Sequence, residues 1–200
     1  MSTTENTILG LKLPTDPRWV DIAAISLQDI LTDHAFCEQK AATQFISLIQ
    51  KYHDKTELVE ALAPVVTEEW GHFRMVLAEL KKRGLTFGKQ RKDEYVNLLL
   101  QNEPKNISSE DRLLHKLMIC ALIEARSCER FRLLSLHIEE EPLRNFYHKF
   151  MISEAGHYRL FLDIAKVYFE EDLVRKTWSD WLQIEKNILK DLKPRGDRMH

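Results

Sequence analysis

The chain has 200 residues, 44% apolar and 30% charged, with only 6 Gly and 6 Pro. This composition supports one sizeable hydrophobic core, excludes a disordered chain and leaves little material for the many turns of a sandwich or barrel. The formal charge of -2 gives no global attraction to nucleic acid, and three cysteines without a CxxC pair exclude a disulfide framework or a zinc ribbon.

No apolar run approaches the ~18 residues of a membrane span. The start, MSTTENTILGLKLPTDP, has neither the early positive charge nor the apolar block of a secretory signal. A cytoplasmic protein with no membrane partner is the expectation.

The hydrophobic pattern is helical almost throughout. After an N-terminal arm, Pro17 opens a helical turn over 18–24. Ser26 precedes a long helix over 27–52, with Leu27, Ile30, Leu31, Ala35, Ala42, Phe45 and Leu48 recurring at three and four. Thr56 is the expected N-cap of a helix over 57–83, in which Pro64 marks a kink or a late start; Lys81-Lys82-Arg83-Gly84 is a basic last turn and a stop. A polar stretch, 84–92, leads to a short helix over 93–102.

Ser108 with Asp111 resembles a capping box opening a helix over 109–137. Pro142 suits the first position of a helix reaching Phe169, and a last helix spans 171–192. No segment shows sustained strand alternation. Helices of this length reach roughly 40 Å at 1.5 Å per residue. The predicted class is all-α, a four-helix bundle with additional short helices. The expected organisation is one domain over 1–200, with loose tails near 1–15 and 193–200.

The chemistry lies in a duplication. Glu69-Trp70-Gly71-His72 and Glu154-Ala155-Gly156-His157 both read Glu-x-Gly-His, and an aromatic residue follows each. On a helix, positions three apart share a face, so carboxylate and imidazole reach one metal ion. Glu38 precedes Glu69 by 31 residues and Glu124 precedes Glu154 by 30, so the two halves repeat at an offset of 85–86. Glu38, Glu69, His72, Glu124, Glu154 and His157 form the ligand set of a carboxylate-bridged di-iron or di-manganese centre. Glu124 follows the apolar run Met118-Ile119-Cys120-Ala121-Leu122-Ile123, where a lone carboxylate would carry a heavy burial cost.

Glu68 also lies within reach of His72, but Ser153 holds the matching place in the second half, which selects Glu69. His34, one turn before Glu38, is either a group supporting that ligand or a polar core residue; the latter is preferred. Small residues around Glu38 and Glu124 suit either tight helix packing or space for metals and a substrate.

Three outcomes compete for such a centre: oxygenation of an organic substrate, oxidation and storage of iron, and peroxide reduction. The apolar surroundings of the ligands favour an oxygenase. The alternative is a ferritin-like iron-oxidising or peroxide-reducing protein without an organic substrate.

The segments around these ligands carry a resemblance. They are Asp33-His34-Ala35-Phe36-Cys37-Glu38-Gln39-Lys40-Ala41-Ala42, Glu68-Glu69-Trp70-Gly71-His72-Phe73, Ile123-Glu124-Ala125-Arg126-Ser127-Cys128-Glu129-Arg130-Phe131 and Ser153-Glu154-Ala155-Gly156-His157. The chain resembles the tRNA 2-methylthio-N6-isopentenyladenosine hydroxylases, non-haem di-iron monooxygenases of ferritin-like fold. The third segment is the most specific, and the resemblance spans roughly residues 8–192. Gly71 and Gly156 stand where some members carry larger residues, a difference of packing rather than ligation.

The resemblance implies hydroxylation of the isopentenyl side chain of the modified adenosine beside the tRNA anticodon. It implies two iron ions held by the six residues above, O2 as co-substrate, and an electron-transfer protein as external two-electron donor. For tRNA contacts the candidates are Lys89, Arg91 and Lys92 beside Lys81-Lys82-Arg83, and Arg126 with Arg130, which share a helix face and suit either phosphate or Glu129. The C-terminal Lys186, Lys190, Lys193, Arg195 and Arg198 form a further basic cluster.

Overall fold

A computed structural model describes residues 8–193 and 195–199. Seven helices account for the regular structure, and no strand occurs among the described residues: α1 (Arg18–Ile25), α2 (Leu27–Lys51), α3 (Thr56–Lys82), α4 (Glu94–Gln101), α5 (Ser109–His137), α6 (Glu141–Tyr168) and α7 (Glu171–Asp191). The elements sort into two compact units. One holds α1–α3 with the tail 195–199; the other holds the N-terminal arm with α4–α7.

Local chemistry explains most boundaries. The Ser108 hydroxyl accepts from Asp111 N at 3.0 Å and donates to the Asp111 carboxylate at 2.7 Å, so two polar groups at the start of α5 satisfy each other. α3 ends because Gly84 adopts φ 68°, which lets Leu85 N bond to Leu80 O at 3.0 Å and Gly84 N to Lys81 O at 3.0 Å. Two expectations are corrected: Thr56 is the first helical residue rather than the cap, and α3 starts there rather than late, with the exposed Pro64 inside it.

In the first unit, α2 and α3 form an antiparallel hairpin. The two helices pack on each other, and Ile30, Leu31, Ala35, Ala42, Phe45 and Leu48 of α2 and Leu58, Leu62, Val65, Val76 and Leu80 of α3 are all buried. Trp19 of α1 is fully buried. Its indole N–H donates to the carbonyls of Arg195 at 3.0 Å and Arg198 at 3.3 Å. Met199 N donates to Asp33 Oδ2 at 2.8 Å, and Met199 and Arg198 are buried. A Cβ on Gly196 would fall 2.3 Å from Ile22 Cγ2, so the tail passes against α1 where only glycine fits. The expected loose C-terminus is therefore corrected for 195–199, because an indole and a buried carboxylate pin it.

In the second unit, α5 pairs with α6 and is covered by α7, and a long run of α5 from Leu117 to Phe131 is buried almost all round. The hub is Arg126, which is fully buried. It donates to Glu185 of α7 at 2.7 and 2.9 Å, to Leu13 O at 2.9 Å and to Thr15 Oγ1 at 3.1 Å, and it is ion-paired with Glu129. Thr15 in turn donates its hydroxyl to Glu129 at 2.6 Å. Paired charges and satisfied hydrogen bonds are what let such a group be buried at all. The expected loose N-terminal arm is likewise corrected from residue 11 on, because Leu11 is buried and Leu13 and Thr15 bond to α5. The part of that expectation on 1–7, and on 194 and 200, lies outside the described residues.

Candidate metal centre

Each hairpin builds a cluster of two carboxylates and one imidazole. In the first unit, Glu38 comes from α2, and Glu69 and His72 from α3. His72 Nδ1 lies 3.4 Å from Glu38 Oε2 and 3.8 Å from Glu69 Oε2. All three are buried, Glu69 with 1% of its surface exposed. In the second unit, Glu124 comes from α5, and Glu154 and His157 from α6. His157 Nδ1 lies 3.8 Å from Glu124 Oε2 and 3.9 Å from Glu154 Oε2, and all three are buried. Within each trio the ligand atoms lie within 4.8 Å of one another.

The electrostatics show what such a cluster costs without a cation. Burial, and then the neighbouring Glu69, push the Glu38 carboxyl well above its usual range. Burial alone would lower the His72 imidazole, but its bonds to Glu38 and Glu69 raise it to about 10. A proton on His72 does part of the work that a divalent cation does better. Two buried carboxylates and an imidazole at these separations are a donor set suited to iron, manganese or zinc, so the residues present fit a metal.

Glu68 is the competing carboxylate. It lies 3.8 Å from His72 Nε2, but its side chain is 48% exposed, whereas Glu69 faces inward. His34 is more than a core residue: it is fully buried, with Nε2 2.7 Å from Glu38 Oε1. The i,i+4 spacing to Glu38 was the available signal. A Cβ added at Gly71 or Gly156 meets nothing within 4 Å, so larger residues would be accommodated at both.

The tentative nucleic-acid contacts separate. Lys89 and Lys92 are exposed. Arg91 is tied to Asp29 at 2.6 Å and to Asp197 at 2.8 Å. Arg126 and Arg130 are buried, and Arg126 takes Glu129 and Glu185 as partners rather than a phosphate.

The sequence matches the model of the tRNA-(MS2IO6A)-hydroxylase (MiaE) family over residues 2–200. The chain belongs to this family. It is 36% identical over 170 residues to the tRNA 2-(methylsulfanyl)-N(6)-isopentenyladenosine(37) hydroxylase of Pseudomonas putida, covering 82% of this chain and 80% of that protein. It is 27% identical over 216 residues to the hydroxylase of the same name from Salmonella typhimurium, covering 82% and 77%. Among solved structures it matches "Protein 43 with aldehyde deformylating oxygenase activity from Synechococcus" with a TM-score of 0.90 and 32% identity over 96% of each chain. The MiaE family membership and this match agree with the all-α, ferritin-like class expected from the sequence. No helix among the described residues is long and apolar enough to cross a membrane.

Proposed function

We propose that this MiaE-family chain hydroxylates the isopentenyl side chain of 2-(methylsulfanyl)-N6-isopentenyladenosine at position 37 of tRNA, with two iron ions and O2. The observation that carries the reading is the buried Glu–Glu–His trio repeated in both hairpins of a chain that matches the family from residue 2 to 200.

In this reading the chain works as one domain, and each unit supplies half of the ligand set. Glu38, Glu69 and His72 would hold one side of the centre, and Glu124, Glu154 and His157 the other. Iron held by these residues would supply reductive activation of O2, with one oxygen atom entering a substrate C–H bond and the other leaving as water.

The protein's own residues keep the carboxylates dry, which strengthens their hold on cations, and fix their direction. His34 orients the Glu38 carboxylate through the 2.7 Å contact. The two electrons come from a separate electron-transfer protein. A tRNA substrate fits a cytoplasmic location.

The test is direct. Iron-loaded, reduced protein is given isotopically labelled O2 and tRNA carrying the modified adenosine, and the nucleosides are analysed by mass spectrometry. Labelled hydroxylated nucleoside supports the reading. Iron turnover or peroxide consumption without it would establish the ferritin-like alternative instead.

A further inference from the structure

The α2–α3 unit carries a row of aromatic rings beside its ligands that the metal chemistry does not use. Phe36 of α2 packs on Phe87 of the loop 83–93 with ring centroids 4.6 Å apart. Phe87 meets the edge of Phe73 at 6.1 Å, and Phe73 lies 4.9 Å from Trp70. Phe73 is buried, but the rings on either side of it are open to solvent: Trp70 is 48% exposed and Phe87 42%.

The loop that presents Phe87 is not left to drift. Gly88 N donates to Thr32 Oγ1 at 3.3 Å, and a Cβ at Gly88 would sit 3.3 Å from Thr32 Cγ2, so the loop backbone lies close on α2. Arg91 ties the same loop to Asp29 at 2.6 Å.

The place and charge of the row suggest its use. Trp70 and Phe73 each follow a ligand, Glu69 and His72, by one residue, so the aromatic strip of α3 adjoins the ligand strip. Positions 70, 74 and 81 share one outer stripe of α3, which brings Trp70, Arg74 and Lys81 into line, all exposed. Lys89 follows Phe87 by two residues and is exposed. Solvent-facing aromatic rings interleaved with cations make a surface on which unpaired bases stack while phosphates are neutralised. An isolated exposed tryptophan would need no explanation, but a ring row pinned in place, cationic at its edges and adjoining metal ligands does.

We propose that Trp70 and Phe87 form a stacking platform for unpaired anticodon-loop bases, with Arg74, Lys81 and Lys89 taking the flanking phosphates. The inference rests on the tRNA hydroxylase reading and names how that substrate is held. Stacking on the platform presents the loop beside α3 without base-specific hydrogen bonds, and the modified adenosine reaches the ligands from an already unstacked strand.

The experiment measures binding of an anticodon stem-loop RNA carrying the modified adenosine to iron-loaded protein across a salt series. Trp70→Ala and Phe87→Ala should each weaken binding about 5- to 150-fold, the range expected for loss of one stacked base. Trp70→Phe should restore most of it. The slope of log affinity against log salt should stay unchanged in these variants, whereas Arg74→Gln should flatten it by roughly 0.7 to 0.9. An RNA with abasic loop positions should bind wild type and Trp70→Ala equally, which a general folding defect would not produce. Iron content, measured on every variant, should match wild type. If wild type binds the loop and both alanine variants bind it as tightly, the platform is overturned and the hydroxylase reading stands. If wild type hydroxylates no tRNA and binds the loop no better than an unmodified duplex, both are overturned.

Discussion

The two hairpins repeat one ligand pattern and surround it differently. At the offset of the repeat, His34 of α2 corresponds to Cys120 of α5, each four residues before its glutamate. In the first half an imidazole grips that carboxylate at 2.7 Å. In the second, Cys120 is a buried thiol that burial and then Glu124 hold well above the usual thiol range, and Cys128, one turn after Glu124, is raised by the same two causes to about 12. In the metal-free protein both thiols are held protonated, and Cys128 donates to Met151 O at 3.3 Å. The outer surroundings diverge as well: α5 is buried almost all round from Leu117 to Phe131, whereas over the matching stretch of α2 Gln39, Lys40, Ala41 and Gln44 are half-buried and Thr43 is exposed. The comparison teaches that the repeat preserves the proposed ligand positions but not what surrounds them.

The largest effect expected is loss of metal. His72→Ala and His157→Ala should each fall well short of the two irons per chain expected of the wild type, read by elemental analysis. Full iron in both variants would break the equivalence of the halves.

Next comes the buried ion hub of the second unit. Arg126→Met leaves Glu129 and Glu185 buried without their cation, and it should cost about 3–5 kcal/mol of stability in denaturant titrations. A loss under about 1 kcal/mol would mean that those carboxylates find other partners or protons.

His34 and Cys120 provide the sharpest contrast between the halves. His34→Ala should weaken metal binding or activity about 10- to 100-fold, as removal of a group that orients a ligand does. Cys120→Ala should leave metal affinity unchanged and cost on the order of 1 kcal/mol of stability for the small void. Equal effects of the two on metal affinity would show that the asymmetry has no consequence.

The pH dependence has a definite sign. In the metal-free protein the His72 imidazole is raised from 6.5 to about 10, so the stability it contributes is complete below pH 6.5 and fades as pH rises through 10. Metal must displace that proton, so metal affinity should climb across this window and uptake should release protons. Calorimetry in buffers of different ionisation enthalpy counts them, and His72→Ala should release fewer than wild type.

The smallest effect belongs to Glu68→Gln. That side chain is half exposed, so metal content should stay near wild type while Glu69→Gln lowers it. The opposite result would place the wrong carboxylate in the ligand set.

What the sequence made legible was local or repeated. Helix boundaries followed from period and caps, as at Ser108 and Gly84, because those signals lie within a few residues of what they control. The ligands stood out because the same spacing occurs twice. His34 was visible by spacing alone, but whether an imidazole points at a carboxylate one turn away is decided by packing. Arg126 looked like a phosphate contact because its partners Thr15 and Glu185 lie 111 and 59 residues away. The same reason hid the fixed C-terminal tail, whose bond to Trp19 spans 176 residues.

The chain ends are exchanged between the units. The arm that comes first in the sequence packs with the later helices, and residues 195–199 complete the unit built by the earliest ones. During synthesis, a nascent chain reaching Lys92 already carries Glu38, Glu69 and His72 but lacks the strand of backbone that bonds to Trp19 and Asp33. The first hairpin therefore reaches its final form only once residues 195–199 have been made and have left the ribosome. Cutting the gene at the boundary between α3 and α4 yields two fragments that each lack a piece of their own unit and carry a piece of the other.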